Sequence, residues 1–199
     1  MTQHTLTMAG RPKIFNEQKA LERATALFWQ KGYEATSTQD LIDTMGLQRG
    51  SLYHSFGSKK QLFRNAIDQH ERSFAEFEKA VRESADPIPL IKSVFRELAD
   101  CSDDDHRKGC FLGNTVAELS GIDEDLATQA KEYLASLERM LFEQIKRAQD
   151  EGTLKNQTDA KLLARYLLNL WNGINITRRI HPSREVLRPL IEFQLSILE

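Results

Sequence analysis

The chain has 199 residues, 40% hydrophobic and 28% charged, an ordinary soluble-protein composition that leaves room for one large domain or a small one fused to a larger one. It has no apolar run near the ~20 residues of a membrane helix and no signal-peptide core, so a cytoplasmic protein with no membrane partner is expected, with Cys101 and Cys110 as free thiols. The net charge of −2 is unevenly spread: residues 1–60 hold eight Lys or Arg against five Asp or Glu, an excess of +3, which leaves −5 on residues 61–199. Attraction to a polyanion therefore belongs to the first third, and the acidic remainder should face away from it.

Residues 1–13 are polar, with Arg11 and Lys13 around Pro12 as a short basic arm. A first helix is predicted over 16–31, its apolar face built from Leu21, Ala24, Leu27 and Phe28 and its stop supplied by Gly32. The hydroxyl residues Thr36, Ser37 and Thr38 then precede Leu41, Ile42 and Met45 at helical spacing, and Gly46 permits the positive φ of a tight turn. A further helix over 48–56 sets Leu52 and Phe56 toward its predecessor. Its other face carries Gln48, Arg49, Ser51, Tyr53 and His54, able to bond base edges or phosphates, while Gly50 admits a close backbone approach. Gly57 ends it, Ser58 can cap the next helix, and Lys59 and Lys60 fall in that helix's first turn. Two lysines there oppose the helix dipole, which a phosphate partner would explain.

Two short helices split by a glycine turn and ending in such a cluster form a helix-turn-helix that reads duplex DNA. The expected DNA-binding residues are Thr36, Ser37, Thr38, Gln48, Arg49, Gly50, Ser51, Tyr53, His54 and Lys59. Gln48 and Arg49 are assigned to base edges, and Thr38, Ser51, Tyr53, His54 and Lys59 to phosphates. The arm at Arg11 and Lys13 either enters a minor groove, touches phosphates or is a tail without a role. The lead-in GRPKIFNEQKALERATALFWQKGYEATS and the ending LYHSFGSKKQLF, taken together, resemble the DNA-binding domain of the tetracycline-repressor (TetR) family. The resemblance covers residues 10–63.

Beyond it the periodicity predicts a long helix over 58–84 carrying Leu62, Phe63, Ile67, Phe74 and Phe77, then helices over 88–101, 111–119, 124–150, 160–180 and 184–198. Residues 103–109, Gly121, Gly152 and Pro182 punctuate them. Without any alternating β-branched run the chain reads as all-α, with about nine helices. The expected division is a helix-turn-helix DNA-binding domain over 1–60 and a helical ligand-binding and dimerisation domain over 61–199. The last two helices are apolar on more than one stripe, which calls for pairing with a second copy unless a monomer buries both stripes itself. A four-helix interface of that kind matches the homodimer of the family resembled, and two heads about one helical turn apart would read a palindrome.

The resemblance also implies a small-molecule pocket among the C-terminal helices. An inducer bound there changes the separation of the heads and releases a repressor from its operator. The sequence nominates the lining: Phe95, Phe111, Tyr133, Met140, Tyr166 and Trp171 as apolar or aromatic material, with Asn114, Asn169, Asn172 and Asn175 as polar handles. For any one of these six, plain core packing is the favoured alternative. Cys110, just after Arg107, Lys108 and Gly109 and at a helix start, is a further ligand-side candidate. It supports an alternative reading as a redox or electrophile switch, although Asp103, Asp104 and Asp105 oppose a thiolate. Cys101, His106 and Cys110 lack a fourth ligand for zinc, and the sequence shows no oxyanion motif or third orienting residue for a cysteine nucleophile. Neither a metal, a cofactor nor an enzyme is expected.

Overall fold

The computed structural model describes residues 15–199, so the basic arm around Arg11, Pro12 and Lys13 lies outside the described residues. These form α1 Glu17–Lys31, α2 Thr38–Met45, α3 Arg49–Phe56, α4 Lys59–Arg72, α5 Ala75–Glu83, α6 Ile88–Glu97, α7 Asp103–Lys108, α8 Phe111–Leu119, α9 Glu124–Asp150, α10 Ala160–Ile180 and α11 Arg184–Leu195. A 3-10 turn, Ser196–Leu198, follows. The all-α architecture expected from the sequence is present, and two local features account for the segments beyond nine.

The helix expected over 58–84 is interrupted at Ser73. Its hydroxyl donates to the His70 carbonyl at 2.6 Å, and the Phe74 N–H reaches only the Glu71 carbonyl, a one-turn tightening of the ladder. The other feature is α7, in a stretch that reads as punctuation. Ser102 caps it by accepting from Asp105 N–H at 3.2 Å, three aspartates fill its positive end, and His106, Arg107 and Lys108 fill its negative end. Capping and charge hold this turn without an apolar stripe.

Two cores organise the molecule. One joins α1–α4 to α8 and the first half of α9, through Ala24, Phe28, Leu41, Leu52, Phe63, Phe111, Leu119 and Leu126. The other collects α5, α6, the second half of α9, α10 and α11, around Ile91, Phe95, Ile145, Leu167 and Ile191. Trp171 packs against both. Packing does not divide where charge does: position 60/61 falls inside α4, whose Leu62, Phe63, Ala66 and Ile67 belong to the first core. The body therefore grips the N-terminal helices from within their own core.

Candidate functional site

The N-terminal head is built by capping and glycine stops. Asn16 accepts from Lys19 N–H at 3.0 Å to start α1, and Gly32, at φ +87°, ends it. At the start of α2, Ser37 and Asp40 form a reciprocal box: Asp40 N–H donates to Ser37 Oγ at 3.0 Å and Ser37 N–H to Asp40 Oδ2 at 2.9 Å. The Ser37 backbone bond, helped by Lys31 at 3.0 Å, holds the Asp40 carboxyl down to about 2. Gly46 turns in the left-handed region at φ +69°, and α3 packs on α2 through Leu52 and Phe56.

Gln48, Arg49, Gly50, Tyr53 and His54 are exposed on α3 and Ser51 is half-buried there. Among the described residues no side-chain hydrogen bond or ion pair engages Gln48, Arg49, Ser51, Tyr53 or His54, so all five are free to meet an external partner. Ser37 is exposed and Thr38 half-buried at the start of α2. Thr36 is a correction: it is fully buried and its hydroxyl donates to the Gly32 carbonyl at 2.6 Å, so it shapes the turn and faces no DNA. The phosphate role suggested for both lysines at 59 and 60 also divides. Lys59 lies half-buried with its ammonium 4.3 Å from the centre of the Tyr33 ring, while Lys60 is bound to Asp123 at 2.9 Å and Asp125 at 3.0 Å. Those two carboxylates raise the Lys60 pKa and tie α4 to the start of α9.

Further bonds join head to body. Glu118 on α8 accepts from the N–H groups of Tyr33 at 3.1 Å and Glu34 at 2.8 Å. Trp29 Nε1 donates to the Gly109 carbonyl at 3.2 Å. On α4, Asp68 accepts from Gln129 Nε2 at 2.6 Å and from the Tyr133 hydroxyl at 2.8 Å. Burial, reinforced by Asp68, pushes the Tyr133 pKa up to about 12, so this phenol stays a donor.

Beside this joint lies a cavity of about 230 Å³ walled by α1, α4–α10 and the turns around α7. Phe95, Cys110, Tyr133, Trp171 and Asn175 are in its wall. Phe111, Asn114 and Tyr166 are not, and each has another duty. Phe111 packs edge-on against Phe63 and His70; Asn114 bonds the Lys108 carbonyl and Arg179; Tyr166 donates to the Gln194 carbonyl. Met140 is core, and Asn169 and Asn172 also lie outside the wall. The wall further contains Trp29, His70, Glu71 and Arg178, which the periodicity did not single out, and Phe74, which it marked as an apolar residue of the helix over 58–84. A signal for Arg178 was present: it follows Leu167, Trp171 and Asn175 along one stripe of α10, where a cation is out of place.

The polar part of that wall is unusual. His70 sits among the rings of Trp29, Phe74 and Phe111, and burial lowers its pKa to about 4, so it is neutral. Arg178 is 3% exposed; its guanidinium donates to the Gly109 carbonyl at 2.9 Å and to Cys101 Sγ at 3.4 Å. Burial lowers its pKa as well. The Cys110 sulfur is covered and accepts from Gly113 N–H at 3.3 Å, capping α8. Both cysteines are free thiols, and among the described residues no group of three or more metal-ligating side chains could hold an ion. None of the described helices is long and apolar enough to cross a membrane.

Away from the cavity wall, α10 and α11 expose Leu162, Ile176, Ile180, Val186 and Phe193, the last at 79%. The spacing of Leu162, Asn169, Ile176 and Ile180 makes one stripe along α10.

The family model described as "Bacterial regulatory proteins, tetR family" matches residues 20–66, and the "Tetracyclin repressor-like, C-terminal domain" model matches residues 87–192. The chain is similar to the transcriptional repressor ComR of Escherichia coli (strain K12), with 34% identity spanning 94% of this chain and 90% of ComR. It is also similar to the uncharacterized regulator YezE of Bacillus subtilis (strain 168), with 30% identity spanning 96% and 100%. Among solved structures, a cysteine-substituted variant of the TetR family regulator CifR, in complex with a 26-base-pair operator duplex, superimposes with a TM-score of 0.82. It shares 27% identity and covers 96% of this chain and 100% of that one. A free polar face on α3, a helical body joined to it through α8 and α9, and these matches to both halves place the chain in the TetR family of helix-turn-helix transcriptional regulators.

Proposed function

We propose that this protein is a homodimeric repressor that holds a palindromic operator and lets it go when a small, largely apolar molecule enters the cavity. The observation that carries the reading is the shared wall. His70, Glu71 and Phe74 on α4–α5, Tyr133 on α9 and Trp29 on α1 all face the cavity, and the same helices carry the bonds that hold the head. A molecule that pushes α4 from α9 acts directly on Asp68, Gln129 and Tyr133. A shift of α4 is passed on to α1–α3 through the core that these helices share with α8 and the first half of α9. The operator duplex in the CifR complex supports double-stranded DNA as the partner, and the exposed stripe on α10 with Val186 and Phe193 supports pairing of two copies through the last two helices.

A switch through Cys110 is the weaker account: the sulfur is buried and already serves as a cap. The test is a binding titration against the gene's own upstream region and against random duplex. Preference for the former, with a steep loss of affinity as salt rises, is expected from phosphate neutralisation. Equal affinity for both duplexes would refute operator recognition.

A further inference from the structure

The cavity has a chemical polarity that narrows what it holds. Most of its wall is apolar: Phe74, Phe77, Val94, Phe95, Leu134 and Trp171 suit a flat ring. An apolar cavity of about 150 Å³ accepts benzene, so one of about 230 Å³ accepts a single ring with small substituents. Two wall residues are almost wholly buried yet incompletely bonded. Asn175 and Arg178 are each 3% exposed, and neither Asn175 Oδ1 nor Arg178 Nε has a partner. They stand three residues apart on α10, on one face and about 5–6 Å apart at Cβ.

Their needs are complementary and adjacent. Asn175 Nδ2 is committed to the Trp171 carbonyl at 2.8 Å, which leaves Oδ1 requiring a donor. Arg178 Nε requires an acceptor, and its charge forms no ion pair among the described residues, its two bonds going to a carbonyl and a sulfur. Asp105, also in the wall, acts on that charge from beyond ion-pair distance. A buried guanidinium with no charged hydrogen-bond partner is costly, and an anion brought by a ligand would offset that cost. Glu71 and Glu78, the carboxylates on the α4–α5 side of the wall, are the competing influence and would favour a cation. Both are only half-buried, and burial with mutual repulsion raises the Glu71 pKa, which weakens their pull.

We propose that the ligand is a small aromatic carboxylate carrying a hydroxyl group, its ring lying against Trp171 and Phe95; Arg178 Nε and Asn175 Oδ1 are covered, and the two side chains turn toward the ligand so that its carboxylate accepts from Arg178 Nε–H and its hydroxyl donates to Asn175 Oδ1. The assignment rests on the ligand-responsive reading above and gives it a chemistry. It also supplies a route to the DNA. The Gly109 carbonyl accepts from Arg178 Nη2 and from Trp29 Nε1 of α1, so a ligand that draws Arg178 toward itself alters the acceptor that holds the head.

The chain's two tryptophans, Trp29 and Trp171, are both in the cavity wall and report occupancy by fluorescence. The full-length protein is titrated with 3-hydroxybenzoate, 3-hydroxybenzamide, 3-hydroxybenzylamine, benzoate and toluene, and each probe is then added to the operator complex. The acid is expected to bind about tenfold or more tightly than its amide or amine and to release the duplex, each tenfold being about 1.4 kcal/mol. Benzoate is expected to bind more weakly than the hydroxylated acid. Asn175→Leu should erase the hydroxyl preference and Arg178→Gln the preference for acid over amide. Because Arg178 also braces Gly109, the comparison of probes on the unaltered protein is decisive. Preference for the amine, amide or toluene overturns the aromatic-acid assignment while ligand-driven release stands. Binding by none of the probes also overturns it, with operator recognition read separately from the same titration without probe.

Discussion

Arg49 and Lys59 carry the same charge in different settings, and the settings predict different roles. Arg49 opens the exposed face of α3 with no partner among the described residues, whereas Lys59 lies over the Tyr33 ring at the start of α4. Arg49→Ala is expected to cost about 1–3 kcal/mol at particular base pairs and relax discrimination there. Lys59→Ala should weaken all duplexes alike and lower the salt slope by about one. Competition binding with single-base operator variants separates the two; identical losses on every sequence for both variants would refute the division. Buried His70 offers a second residue-scale test. Its folded pKa of about 4 lies below the ordinary 6.5, so between those values the unfolded chain takes up a proton that the folded chain refuses. Stability is unaffected above about pH 6.5 and falls as pH drops toward 4, by up to about 3 kcal/mol. His106, also pushed down by burial, adds to the loss in that window. His70→Phe, which keeps a ring among Trp29, Phe74 and Phe111, should shrink the difference between urea midpoints at about pH 7.5 and about pH 5. An undiminished difference would show that His70 is not the group responsible.

At the scale of elements, α8 is the strut between body and head. Glu118 is its contact, accepting from two N–H groups in the turn after α1; a Cβ at Gly32 in that turn, already disfavoured by φ +87°, would lie 2.8 Å from the Glu118 carboxylate and displace it. Charge-assisted bonds of this kind are worth roughly 1.5–3 kcal/mol each. Glu118→Ala should loosen the turn, weaken operator binding about tenfold or more and raise amide exchange at Tyr33 and Glu34, with the helical content of the body unchanged by circular dichroism. Unchanged exchange at those two amides would remove α8 from the coupling path. The same scale shows what sequence could and could not reveal. Glycines 32, 46 and 57 and the hydroxyl residues Ser37 and Ser58 made the head legible almost residue by residue, since local stereochemistry alone decides them. Apolar periodicity likewise marked α8, α9 and α10. It was blind to α7, held by charge and a cap, and to the break at Ser73, where a hydroxyl competes for the ladder. Thr36 was misplaced because its burial depends on the turn closing over it, and the cavity wall mixes side chains from many helices whose relative setting no local pattern encodes.

For the whole molecule, the proposed dimer makes the reach of the head depend on a second copy. Phe193, Ile176, Ile180, Val186 and Leu162 are too apolar and too exposed to face water as a set, and burying them against their own copy is the economical solution. Ile176→Asp with Phe193→Asp should give a monomer by light scattering at micromolar concentration while leaving each protomer folded, and operator affinity should fall by orders of magnitude as the second head is lost. A variant that still scattered as a dimer would place the interface elsewhere. Palindrome reading by a dimer is tested most directly by selecting binding sites from a pool of random duplexes with the unaltered protein and sequencing what is retained. An inverted repeat is expected, its half-sites separated by about one helical turn or a multiple of it, matching a two-headed reader. Enrichment of a site without two-fold symmetry, or of no sequence at all, would contradict a palindrome-reading dimer.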